Sequence, residues 1–157
     1  MKPMLSVVTL TLAGAAFILP ASAADEHTVL APKDVKWSPG PPSLPKGAEV
    51  AMLAGDPSKD GPFVMRLKFP SGYQVPPHTH PKAEVVTVIS GTVHVGMGET
   101  ADKSKAQALA AGGFFAMSPG MKHYVWADGE TVVQLNGVGP WAVTYVNPKD
   151  DPRQKSQ

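Results

Sequence analysis

The sequence predicts an all-β protein, an antiparallel sandwich or barrel, on three observations. The 15 glycines and 17 prolines among 157 residues are spread along the chain instead of gathering in one tail. Between them lie short apolar runs of strand length, rich in Val. No long segment carries a helical period, and many short strands separated by Gly and Pro turns belong to sandwiches and barrels.

Taken in order, strands are predicted over 48–54, 63–69, 73–79, 84–90, 92–98, 114–117, 122–128, 131–137 and 141–147. Turn-forming clusters bound them, such as Gly55-Asp56-Pro57, Pro70-Ser71-Gly72, Pro119-Gly120 and Asp128-Gly129. In the third strand Pro76 and Pro77 enforce extension, because proline fixes its own φ and keeps its predecessor out of the helical region. The fourth strand opens with Glu84 and is apolar on both faces (Val85, Val86, Val88, Ile89). One side should fill an interior and the other meet a packed second layer or a second copy; exposed sheet edges also need covering, and on that ground a homodimer is expected. No internal repeat is present, which predicts a single folded unit.

Around this barrel, 48–147, the sequence places three further segments. Residues 1–23 read as a signal peptide: Lys2 is the positive start, an apolar run follows, and Ala21-Ser22-Ala23 forms an A-x-A cleavage site. The apolar run is short for a bilayer span, which takes roughly 20 residues. No Arg-Arg pair precedes it, so Sec-type export to a periplasmic or secreted location is expected, with no membrane attachment after cleavage. Residues 24–47 form a proline-rich arm whose Val29, Leu30, Val35 and Trp37 predict partial docking, and 148–157 a polar tail. Basic and acidic residues balance once Lys2 is removed, which gives no field for nucleic acid or anionic lipid. The chain has no cysteine, so a metal could be held only by imidazole, carboxylate, thioether or water.

The chemistry concentrates in 72–91. His78, His80 and Glu84 fall within a few residues of one another in a chain with five histidines, and His123 offers a fourth donor downstream. His78 and His80 are two apart, so on an extended strand both rings leave one face. Glu84 would share its face with Val86 and Val88, at the rim of an apolar interior where a carboxylate is costly without a partner. A bound cation supplies that partner. Imidazole and carboxylate donors admit Zn or Cu first, with Fe, Mn and Ni also compatible. Neutral imidazoles are required, so metal loss is expected below about pH 6.5, the free imidazole pKa.

The spacing of Gly72, His78, His80, Glu84 and Gly91 resembles the first signature motif of the cupin superfamily at every position. Gly113, Pro119, Gly120 and His123 resemble the second, with two departures. The family has a residue between the proline and the next glycine, where this chain has none, and an Asn where this chain has Ala127. The resemblance implies a double-stranded β-helix, or jelly-roll barrel. It implies a metal held by His78, His80, Glu84 and His123, with coordination positions left open. It also implies a loop and a short strand over 100–111, which by its alanine content is otherwise the best helical candidate.

Other residues have ordinary roles as well as chemical ones. His94 reads as a hydrogen-bonded core residue and His27 as solvated. Met97, Met117 and Met121 are either soft ligands or packing. Tyr73, Phe114, Phe115, Trp126 and Trp141 could wall an aromatic pocket or fill the core. Tyr73, Gln74, Gln134 and Asn136 are candidates to orient the ligands. Two functions follow. One is a small secreted metalloenzyme of dioxygenase type acting on a small molecule, with Glu84 as a possible base by analogy with cupin dioxygenases. The other is a non-catalytic module that binds or senses a metal or small ligand.

Overall fold

The computed structural model describes residues 27–156, and the signal peptide expected over 1–23 lies outside them. Eleven strands form two antiparallel sheets, and no α-helix occurs among the described residues. β1 (Ser38–Pro39), β2 (Glu49–Ala54), β3 (Gly61–Phe69), β10 (Thr131–Gly139), β5 (Glu84–Ser90) and β8 (Phe114–Met117) make the larger sheet in that spatial order. β11 (Thr144–Tyr145), β4 (Gln74–Thr79), β9 (His123–Ala127), β6 (Thr92–Met97) and β7 (Gln107–Ala110) make the smaller. The fold is a jelly roll.

Alternation builds the core. On β3 Phe63, Met65, Leu67 and Phe69 are buried while Pro62, Val64, Arg66 and Lys68 face away. Val133 and Leu135 of β10 and Val86 and Val88 of β5 continue the inner face, and Val75 and Val93 answer from the other sheet. On β4 a bulge between Val75 and His78 breaks the alternation, so that Val75, His78 and His80 are all buried. Without it, His78 and Val75 would point to opposite faces.

The smaller sheet is covered on its outer side too. Tyr124 and Trp126 point away from the barrel yet are buried, because residues 99–105 fold back over them. The Tyr124 hydroxyl donates to the Asp102 carbonyl at 2.7 Å, and Trp126 lies between the His94 ring and the Lys103 ammonium. Gly96 on β6 stands opposite Tyr124 and leaves no room for a side chain. The 100–111 segment is a 3-10 turn (Lys103–Lys105) capped by Asp102 and followed by β7, so its alanines do not form an α-helix.

The N-terminal arm docks through its later half. Ser38 and Pro39 pair with β2, and Trp37 lies under the Lys68 ammonium at 4.6 Å. Leu44 is buried, and two buried tyrosines hold its neighbours: Tyr73 donates to the Pro45 carbonyl at 2.6 Å and Tyr145 to that of Ser43 at 2.8 Å. Burial, aided by the nearby Asp151 charge, pushes the Tyr145 phenol up to about 12, so it stays a donor at neutral pH. Val29 and Leu30 remain exposed. Of the strand predicted over 141–147 only β11 forms. Trp141 leaves the sheet because its N–H bonds the Pro57 carbonyl at 2.7 Å.

Candidate metal centre

Four buried side chains from both sheets converge at one end of the barrel. β4 supplies His78 and the turn after it His80; β9 begins with His123, directly across the ladder from His78. Glu84 opens β5 in the facing sheet. None of the four is more than 4% exposed. The metal-competent nitrogens of the three histidines lie within 4.8 Å of one another. Glu84 places one oxygen 3.0 Å from His123 Nε2 and the other 3.4 Å from His80 Nε2. The Gly120 N–H donates to the His80 carbonyl at 2.9 Å, so the Pro119-Gly120 turn is tied to the site despite its missing residue.

The other ring nitrogens settle the protonation pattern. His78 Nδ1 lies 2.8 Å from the Pro76 carbonyl, His80 Nδ1 2.8 Å from that of Ala142, and His123 Nδ1 3.1 Å from that of Met121. A carbonyl only accepts, so in each neutral ring Nδ1 carries the hydrogen and Nε2 presents a lone pair. Three lone pairs and a carboxylate then face one another in a buried space without a donor among them. That arrangement is repulsive until a positive charge lies between them, and a divalent cation fits the donor set.

Burial, then the neighbouring His123 and His80, hold the His78 imidazole down at about 3, against its ordinary 6.5. For Glu84, burial alone would raise the carboxyl, but when the His123 and His80 rings carry protons on Nε2 their hydrogen bonds and charge outweigh it and hold it at about 2. Both groups bind protons less readily folded than unfolded, so stability is fullest above pH 6.5 and falls on acidification. His78 acts from pH 6.5 toward 3 and Glu84 from 4.5 toward 2. The metal-free protein should therefore lose on the order of a few kcal/mol of stability between pH 7 and 4. Urea titrations at several pH values measure this, and a midpoint constant over that interval would contradict it.

The space beside the cluster is a cavity of about 40 Å³, walled by Leu44, Leu67, Phe69, Val86, Phe115 and Trp141 among others. Phe115 and Trp141 are the two of the five aromatic candidates that line it. Tyr73 stacks on Phe69 and bonds the arm, Trp126 lies on the outer face, and Phe114 is 57% exposed. The suggested orienting side chains are also elsewhere: Gln74 and Asn136 are exposed, and Gln134 accepts from Arg66 Nε at 3.2 Å. Their work falls to the backbone carbonyls of Pro76, Met121 and Ala142, which carry no residue-type signal. Met97 and Met121 are exposed and Met117 is buried as the cross-strand neighbour of Glu84. His94 bonds Asp128 at 2.5 Å and stacks on Trp126, half-buried on the outer face, and His27 is exposed.

Known proteins resemble this chain in sequence and fold. The cupin domain family model matches residues 65–138, a span that holds all four converging side chains. Germin-like protein subfamily 2 member 1 of Arabidopsis thaliana is 38% identical over 89 residues, or 56% of this chain; the match spans 40% of that relative's own length. An RmlC-like cupin from Shewanella frigidimarina superposes with a TM-score of 0.56 at 17% identity, over 72% of this chain and 90% of that one. An oxalate oxidase superposes with a TM-score of 0.55 at 25% identity, over 82% of this chain and 68% of the other. Two facing sheets, a bulged strand that turns two histidines inward and a family match over the whole cluster lead to one assignment: the chain belongs to the cupin superfamily.

Proposed function

We propose that the protein is an exported metalloenzyme of dioxygenase type, in which His78, His80, Glu84 and His123 hold one divalent metal and the apolar cavity admits a small substrate. The observation that carries this reading is the convergence of three buried imidazoles, each with Nδ1 against a backbone carbonyl, and one buried carboxylate. Zinc and copper suit the donor set, and iron, manganese and nickel are compatible with it. When bound, such an ion supplies Lewis-acid or redox chemistry at its open positions. The chain supplies the rest. Carbonyls fix three imidazoles, the barrel wall excludes water, and Glu84 is the one group beside the cavity able to take a proton from substrate.

The cavity sets the substrate's size. About 40 Å³, against the roughly 150 Å³ that houses a benzene molecule, favours a small substrate over a fully enclosed aromatic ring. The same small volume favours a second reading, a module that holds a metal or a small ligand without turnover. Metal analysis of the purified protein, followed by oxygen uptake with acids of two to five carbons, separates the two. Oxalate belongs in that panel because of the structural likeness to oxalate oxidase. Uptake that disappears in His78→Ala supports the enzyme. One metal per chain with no uptake for any substrate supports the binding module, and absence of metal removes both.

A further inference from the structure

One buried side-chain nitrogen or oxygen in the described residues has no partner: the indole nitrogen of Trp141. Buried indole N–H groups nearly always find an acceptor, and an orphaned one calls for a reason. Trp141 also lines the cavity beside the metal ligands. Its ring stacks on His80 with centroids 4.9 Å apart and planes 19° from parallel, so the N–H runs alongside the imidazole plane and not into its face. The segment is firmly held. The Trp141 backbone N–H bonds the Pro57 carbonyl at 2.7 Å, and the next carbonyl, that of Ala142, accepts from His80 Nδ1 at 2.8 Å. Gly139, just upstream, packs so closely on the Lys59 carbonyl that a Cβ would lie 2.1 Å from it. The backbone that carries the indole is therefore fixed beside the site.

The remaining walls offer it nothing. Leu44, Leu67, Phe69, Val86 and Phe115 carry no acceptor, and the ligand nitrogens and carboxylate are directed at one another. We propose that the Trp141 indole N–H is the hydrogen-bond donor for a small anion bound at the metal's open position, and that this donor and the cavity wall favour small ligands with a hydrogen-bond acceptor over bulky apolar ones. The inference rests on the metal centre proposed above. The preference follows from the enclosed volume, about 40 Å³, and from the indole as the one unpaired hydrogen-bond donor among the described lining residues. The ligand must therefore place one atom on the metal and an acceptor within reach of the indole.

The test uses azide, a three-atom anion, on the full chain loaded with copper(II), whose azide charge-transfer band reports binding. Wild type and Trp141→Phe are compared for copper content and for azide dissociation constant. Equal copper content with azide binding weakened about tenfold or more in the variant is the expected result, the size of a lost hydrogen bond to a charged acceptor. Equal copper and equal azide affinity overturn the inference while leaving the metal centre standing. Failure of the wild type to hold copper or any other divalent metal removes the metal centre itself. If Trp141→Phe does not fold or loses copper, benzothienylalanine at position 141 replaces the N–H with sulfur in the same ring shape, and the same comparison decides. Formate should compete with azide and benzoate should not; competition by benzoate overturns the size preference.

Discussion

His123→Ala is expected to lower bound divalent metal from about one per chain to below about a tenth after dialysis against a weak chelator. Among the four proposed ligands His123 is the most deeply buried, at 1% exposure, and its Nε2 makes the shortest contact with Glu84, 3.0 Å. It also joins the sheets, because it faces His78 across the β4–β9 ladder and Glu84 across the barrel. Its loss leaves Glu84 with His80 at 3.4 Å as its remaining ring contact. Changes to groups that merely orient ligands reduce metal affinity about 10–100-fold, and removal of a ligand should exceed that. His94→Ala is the matched control, since His94 bonds Asp128 on the outer face and takes no part in the cluster. Elemental analysis of both variants, with circular dichroism to verify the fold, measures the effect. Full metal content in His123→Ala would remove it from the ligand set.

Gly96→Ala should be among the most destabilising single changes in the protein, although Gly96 touches no ligand. A Cβ there would lie 2.2 Å from Tyr124 Cζ and 2.4 Å from its hydroxyl oxygen, far inside any contact a real methyl makes. Tyr124 has nowhere to go. It is 1% exposed, its hydroxyl is bonded to the Asp102 carbonyl, and its ring is parallel to that of Trp126 at 6.3 Å. Overpacking of this kind costs about 1–3 kcal/mol, and a buried hydroxyl torn from its acceptor adds roughly 1–3 kcal/mol. A midpoint lowered by roughly 10 °C in thermal unfolding is expected. Gly129→Ala is the control, because nothing lies within 4 Å of a Cβ there and its backbone is ordinary; it should fall within about 0.5 kcal/mol of wild type. Equal losses in the two variants would show that β6 and β9 can separate to admit the methyl.

The site's residues were readable because their chemistry is rare and local. His78, His80 and Glu84 sit together in a chain otherwise poor in histidine, and the glycines around them mark the turns that separate the strands. The means of aiming them were harder to read. Plain alternation from Val75 sends His78 outward, and only the bulge in β4 reverses its phase. Two prolines in succession mark where pairing must break, but not by how many residues the register slips. The carbonyls that fix the imidazoles were invisible because every residue has one; Pro76 and Met121 are two positions before their histidines, whereas Ala142 lies 62 residues from His80. Trp141 looked like one aromatic among several until the fold placed it with Phe69 and Phe115 at the cavity. Trp126 and Tyr124 show the reverse. Their outward phase suggests exposure, and a loop with little apolar character covers them through one hydroxyl and one lysine.

The long reach of these pairings bears on the order in which the molecule assembles. The bond that steadies His80 closes a stretch of 62 residues, and the one from Tyr145 to Ser43 closes 102. Closures of this length come after local ones, since the entropy of bringing distant segments together must be met first. A nascent chain can offer an ion only the neighbouring His78, His80 and Glu84, a loose and water-filled clasp. The tight, dry enclosure exists once the last strands have docked, so the finished barrel, and not the first encounter, decides which ion stays.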